Sequence, residues 1–184
     1  MSKSNDWVGA SELMERLQNV PKWVAEDAAR KAEWAETAAQ ITAEQAELVR
    51  DLRGVGLQLD SIWDLVNTTD SYPEAIPVLL DHASRPYATG PYSWRIREAI
   101  LRALTVPEAR GEPAWRILRE FEVACDVDAH VRWGFANALQ VVADASMVGE
   151  LERLQSIEHD EKIGKMLRLA AVKAAKRKVR ITRQ

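Results

Sequence analysis

Ile96-Arg-Glu-Ala-Ile-Leu-Arg-Ala-Leu104, Val131-Arg-Trp-Gly-Phe-Ala-Asn-Ala-Leu139 and Ile163-Gly-Lys-Met-Leu-Arg-Leu-Ala-Ala171 align without gaps, at offsets of 35 and 32 residues. In each copy apolar or small residues occupy positions i, i+3, i+4, i+7 and i+8. They are Ile96, Ala99, Ile100, Ala103 and Leu104, then Val131, Gly134, Phe135, Ala138 and Leu139, then Ile163, Met166, Leu167, Ala170 and Ala171. That spacing puts all five on one side of a helix that turns every 3.6 residues, so one buried face is written three times. An alanine at i+7 in every copy leaves room for a neighbouring helix to come close. An apolar partner segment precedes each copy: Ala75-Ile76-Pro-Val-Leu79-Leu80, Ala114-Trp-Arg-Ile117-Leu118 and Met147-Val148-Gly-Glu-Leu151. A hairpin of two such helices cannot bury its own apolar face, so successive copies must stack. The expected fold is all-α, an α-solenoid of about three helical hairpins.

Outward from the repeat, Pro73, Pro91 and Pro113 suit first turns of helices, while Val106-Pro107 and Gly111 stop one. The spacing predicts helices over 73–84, 91–106, 113–124, 129–144, 147–156 and 160–178. Strand signals are nearly absent: there is no Asn-Gly or Asp-Gly hairpin and no long apolar–polar alternation. Upstream, Ser61 is placed to cap a short helix over Ile62-Trp-Asp-Leu-Val66, and Ser11 a short helix ending near Asn19. Between them no Gly or Pro interrupts Lys22–Arg53, a stretch with nine alanines from Ala25 to Ala46, until Gly54-Val-Gly56 ends it. One long helix is predicted there. Its Trp34, Ala38, Ile41, Gln45, Leu48 and Leu52 alternate at spacings of four and three, a seam that packs on the same chain or forms a weak dimer. The expected organisation is an N-terminal helical region over 1–70, the repeat array over 71–178 and a basic tail over 179–184.

At Tyr72-Pro73-Glu-Ala75-Ile76-Pro77-Val-Leu79-Leu80, at Asp128-Ala-His-Val131-Arg132 and at the Ala138-Leu139 step, the chain resembles the HEAT-like repeat family. The resemblance covers roughly residues 72–175. Ser61-Ile-Trp-Asp-Leu-Val-Asn-Thr68 also looks like the lead-in of small bacterial HEAT-repeat proteins. The third copy departs from the pattern: Gly164 stands where the others have Arg97 and Arg132, and cations crowd its end, as in a capping repeat. The resemblance implies an α-solenoid that binds other macromolecules, in some members DNA, and in some a cofactor lyase. It also implies that the second helix of each hairpin lines a concave face.

Composition excludes several classes. With 47% apolar residues, 8 Gly and 7 Pro in 184, the chain is neither disordered nor collagen-like. No apolar run approaches the length of a membrane helix, and MSKSNDWVGASEL lacks the apolar stretch of a signal peptide. The single cysteine, Cys125, cannot form an internal disulfide and reads as a small buried hydrophobe. A cytoplasmic protein is expected. The net charge of −3 conceals two unlike parts. From Lys162 onward there are nine cations and no carboxylate, which leaves 16 Lys and Arg against all 28 Asp and Glu over residues 1–161. The body therefore carries −12 and the end +9.

No metal or phosphate motif is present. His82, His130 and His159 are not paired at helical spacing, no Cys-x-x-Cys or His-Glu-x-x-His occurs, and Gly54-Val-Gly56 follows a helix instead of opening one. Carboxylates pair with cations three or four residues away, as Glu26 with Arg30 and Glu47 with Arg50. No cofactor and no enzymatic activity are expected. What remains is the outward stripe of the second helices: Arg95, Glu98 and Arg102; His130, Trp133, Asn137 and Gln140; Lys162, Lys165 and Leu169. Trp and Arg are over-represented in binding hot spots, and Trp94 stands beside this stripe. The expected function is a protein-binding scaffold, adaptor or inhibitor taking an acidic segment of its partner. The alternative is nucleic-acid binding through Lys173, Lys176, Arg177, Lys178 and Arg180.

Overall fold

The computed structural model describes residues 9–12, 14, 20–85, 90–123 and 129–177. Cys125, Lys178 and Arg180 lie outside the described residues, as does most of the expected segment from Ser11 to Asn19. The chain divides into two units, residues 1–40 and 41–184. Nine α-helices and no strand are found among the described residues.

The first unit holds most of helix α1 (Pro21–Glu44). It is a helix of high intrinsic propensity with no buried residue, and Trp34 is 66% exposed beneath the Arg30 guanidinium. Its charges pair locally, with one change from the expected partners. Arg30 turns to Asp27, one turn earlier, and Glu26 pairs with Lys22 at 3.8 Å. Asp27 also takes Lys31 at 2.8 Å, and these cations hold its carboxyl below the usual range.

The uninterrupted helix expected as far as Arg53 breaks at Gln45, whose ψ of 0° departs from helical geometry; α2 (Ala46–Gly54) follows. The backbone ladder nevertheless continues through it, from Gln45 N to Ile41 O at 3.0 Å and from Val49 N to Gln45 O at 2.9 Å. The cause is tertiary. Gln45 is buried, and its Oε1 accepts from the Ile62 N–H and from the Ser61 hydroxyl, each at 3.1 Å. A polar residue in an apolar seam thus satisfies an orphan donor at the start of α3 (Ile62–Asn67). Ser61 and Asp64 complete a reciprocal capping box there. Gly56, at φ +99°, ends α2 in the left-handed region that Gly adopts without a Cβ penalty.

The repeat supplies α4 (Ala75–Ser84), α5 (Ser93–Ala103), α6 (Glu112–Val123), α7 (Ala129–Val142), α8 (Val148–Ile157) and α9 (Glu161–Ala174). Each expected repeat helix is present, mostly shorter at its ends, where caps and short 3-10 turns at Pro107–Ala109 and Ala145–Met147 take over. Helices α4/α5, α6/α7 and α8/α9 pack as pairs. In addition α3 packs on α5, α5 on α7 and α7 on α9, while α2 packs on α4 and α4 on α6. The contacts thus run in two series, α3–α5–α7–α9 and α2–α4–α6, and the short α2 and α3 begin them upstream of the three written copies.

All fifteen stripe residues are buried except Met166, which is half-buried. Removing a Leu, Ile or Phe side chain from water contributes about 1.5–3 kcal/mol, so the stripe is the main driving force for the array. Residues between the stripe positions are buried as well. Leu101 and Ala136 occupy i+5 and are fully enclosed by the next helix of the row. A Cβ on Gly134 would stand 2.8 Å from Leu101 Cδ1, so glycine is what permits the α5–α7 approach. Polar ties span the rows. Tyr72 donates its hydroxyl to Ala103 O at 2.9 Å, and burial pushes its pKa up to about 12. His82 on α4 meets Asp51 on α2 at 3.0 Å, and Arg132 makes a buried pair with Glu158.

Candidate functional site

The residues predicted for binding sit on one row, α3–α5–α7–α9, and the structure brings five of the ten, Glu98, Arg102, His130, Trp133 and Lys162, around one cavity. A cavity of about 420 Å³ is lined by Glu98, Arg102, Ala129, His130, Trp133, Asp160, Lys162 and Ile163. Trp133 is 38% exposed at its wall, a large share for so apolar a side chain. It projects from α7 between positions of the buried stripe, so most of the side chain is covered while part of it stays open to the cavity.

Aromatic rings and cations also pair on the helices that bear this cavity, and of them Arg102 and His130 line it. The Trp94 ring lies 5.6 Å from the His130 ring at an interplanar angle of 31°. Arg95 places its guanidinium 5.3 Å from the Trp94 ring and 5.8 Å from the Tyr92 ring. Arg102 lies 5.9 Å from the Trp63 ring and donates both Nε and an Nη to Glu98 Oε1, at 3.0 and 2.7 Å. These separations fall within the reach of cation–π attraction, about 6 Å. Stacking orients a guanidinium while leaving its N–H edge free for an anion.

The carboxylates of the cavity are already engaged. Glu98 holds Arg102, and Asp160 caps α9 by accepting from the Lys162 and Ile163 N–H groups at 2.8 and 3.1 Å. Those two donors hold the Asp160 carboxyl below the ordinary aspartate range, chiefly through Ile163. Lys165, further along α9, is tied to Glu161 at 2.7 Å.

Three expected residues stand elsewhere or play another part. Gln140 is buried, only 9% exposed, and accepts from Lys173 Nζ at 3.0 Å through Oε1, so it does not line the open face. The stripe spacing left it on the outward side, whereas α9 covers it. Asn137 is half-buried on α7, and Leu169 on α9 is 44% exposed beyond the cavity. Trp63, Asp160 and the short Ala129 wall are additions. Trp63 was visible in the lead-in helix, but only the packing of α3 on α5 puts it beside Arg102.

The basic end has a structural role in part. Arg177 donates to Ala143 O at 2.9 Å and to Gln140 O at 2.7 Å, and Arg110 donates to Val141 O at 3.3 Å. These two arginines cover the C-terminal carbonyls of α7, where a helix dipole favours cations, and Lys173 adds its bond to the Gln140 side chain. Burial and the neighbouring Arg110 lower the Arg177 pKa. Lys176 remains exposed. Among the described residues no cluster of three or more His, Cys, Asp or Glu is placed to hold a metal, and no helix is long and apolar enough to cross a membrane.

No protein-family model, curated protein or solved structure matches the chain.

Proposed function

We propose that this chain is a protein-binding scaffold, without enzymatic activity, built as an α-solenoid of HEAT-like hairpins that engages its partner along the α3–α5–α7–α9 row. The observation that carries the reading is a set of aromatic and cation contacts on α3, α5 and α7, Trp63 with Arg102 and Trp94 with Arg95 and His130, next to an open cavity lined by Arg102, His130 and Trp133. Aromatic and arginine side chains held rigidly on helices lose little conformational freedom on binding, which is the composition of a hot spot. Most carboxylates on this face already have partners, so an acidic segment of another protein fits it better than a basic one. Nucleic-acid binding by the basic end is the weaker reading, because Lys173 and Arg177 are engaged with α7 and the body carries −12.

Cross-linked capture from the native source, compared between wild type and Trp133→Ala/Arg102→Ala, tests the placement. Partners held by the wild type are expected to be lost by the double variant, a weakening of about 2 kcal/mol or more, and kept by Lys176→Glu. Equal capture by the double variant would remove the binding face from this row.

A further inference from the structure

Helix α1 buries none of its 24 residues. We propose that it docks a second copy of this chain, whose α1 lies antiparallel on it about a two-fold axis at residue 29. The seam expected from the sequence is not this surface, because its Gln45, Leu48 and Leu52 are buried in the second unit. The docking face lies on another side of the helix, wholly within residues 1–40.

The uncharged part of the face comes first. At roughly 100° per residue, Val24, Ala25, Ala28, Ala32, Ala35 and Ala39 fall within an arc of about 100° that holds no charged residue of α1. All six are exposed. Most helical stability in proteins comes from packing an amphipathic face. Alanine at a contact lets two helix axes approach to about 8 Å, and a second copy brings the same face by symmetry.

Charge then selects the orientation and the register. Lys22 and Glu36 border the arc on one side, Asp27 and Lys31 on the other. In an antiparallel pair each border meets its own copy, and residues equally far before and after the axis stand opposite each other. Lys22 and Glu36 are equidistant from residue 29, and so are Asp27 and Lys31. One register therefore sets Lys22 against Glu36 of the second copy, and Asp27 against Lys31, each twice. Within one helix Lys22 reaches Glu26 only at 3.8 Å, with 85% of its side chain exposed. Glu36 takes the Gln40 amide at 3.4 Å and no cation among the described residues. Asp27 and Lys31, 2.8 Å apart, would close with their copies into a ring of four charges of alternating sign. Trp23 and Trp34 lie on that same border, centred within one residue of the axis, so the exposed Trp34 meets Trp23 of the second copy. A parallel copy brings Lys31 near Glu36 but sets Asp27 beside Ala32, and so makes half as many pairs. The contact over residues 21–37 is about 25 Å long. A helix pair of that length buries an area at the low end for interfaces, about 1,200 Å² or less, so the dimer is weak.

Sedimentation equilibrium of the full chain tests the proposal. The wild type should pass from monomer to dimer as concentration rises; a chain that stays monomeric up to about 1 mM overturns it. Ala28→Glu and Ala32→Glu, both at exposed positions, should weaken the dimer about tenfold or more without changing the far-UV circular dichroism. Glu33→Lys, on the far side of α1, should leave it unchanged. Lys22→Glu and Glu36→Lys should each weaken self-association, and an equimolar mixture of the two should restore it, because every new charge then faces its opposite. That restoration requires the antiparallel register and does not depend on the alanine variants. If Glu36→Lys weakens the dimer while Lys22→Glu does nothing, the copies are parallel and the proposal falls. A dimer indifferent to Ala28→Glu and Ala32→Glu joins through another face, which overturns it equally.

Discussion

Helices α7 and α9 carry the same written stripe, yet they are buried to different extents. Helix α7 buries Val131, Gly134, Phe135, Ala136, Ala138, Leu139, Gln140 and Val142, whereas α9 buries Ile163, Leu167, Ala170, Ala171 and Ala174. The difference lies at positions outside the stripe. At i+5, Leu101 and Ala136 are enclosed, but their counterpart Arg168 is exposed; at i+9, Gln140 is buried and Val172 is open. An inner helix has a neighbour on each side of its row, α5 and α9 in the case of α7, while α9 packs in that row only on α7. Arginine at a position that the earlier copies fill with Leu and Ala gives α9 a polar side where no further helix of the row covers it among the described residues. Burial in this array is therefore set by the number of neighbours, and the stripe alone accounts for one face of two.

The largest effect should come from Phe135, the largest fully buried side chain, which sits on the doubly covered helix. Phe135→Ala is expected to lower the unfolding free energy by about 3–5 kcal/mol, through lost transfer energy and a cavity that flanking helices prevent from collapsing. Leu167→Ala, its counterpart on α9, should cost less, about 2–3 kcal/mol, because one side of that helix is free to relax. Urea unfolding of both variants measures the contrast. A larger loss for Leu167→Ala would break the link between burial and neighbour number.

A smaller effect, opposite in sign between the two helices, is expected at their glycines. Gly164 on α9 has nothing nearer than Glu158 Cγ at 3.8 Å from a built Cβ, so Gly164→Ala should add about 0.5–1 kcal/mol through helix propensity. Gly134 faces Leu101 at 2.8 Å, and Gly134→Ala should instead cost about 1 kcal/mol or more by overpacking. In a Leu101→Ala background the Gly134→Ala cost should shrink, since the Cδ1 contact at 2.8 Å is gone and only the Cβ contact at 3.3 Å remains. An undiminished cost there would mean that Leu101 is not what keeps position 134 small.

The same contrast explains how much could be read from sequence. Ile96, Phe135 and Leu167 follow from a local period, since each lies on the stripe of its own helix, and the repeat helices could be located from it together with Pro73, Pro91 and Pro113. Gln45, His82 and Gln140 could not be placed, because their partners are 17, 31 and 33 residues away in Ile62, Asp51 and Lys173. Periodicity says which residues are inside a helix pair; it does not say which outward residues the next helix in the row covers. The candidate site divides in the same way. Glu98, Arg102, His130, Trp133 and Lys162 follow from the stripe, whereas Trp63 and Asp160 enter through the packing of α3 on α5 and through the cap of α9.

The smallest expected effect concerns how the terminal helix begins. Asp160 accepts from the Ile163 and Lys162 N–H groups, and its carboxyl is held below the ordinary range chiefly by the first of these. A depressed folded-state pKa means that the unfolded chain takes up this proton first as pH falls. The stabilisation is therefore complete above the ordinary aspartate pKa and is lost as pH drops through the lower folded value. Asp160→Asn keeps the capping acceptor but removes the titration, so it should change little at neutral pH. Between about pH 5 and pH 2 its urea midpoint should fall less steeply than that of the wild type, while both still lose the contributions of Asp51 and Glu150, likewise held low by their partners. If the acid limbs of wild type and Asp160→Asn coincide, the α9 cap does not depend on a charged Asp160.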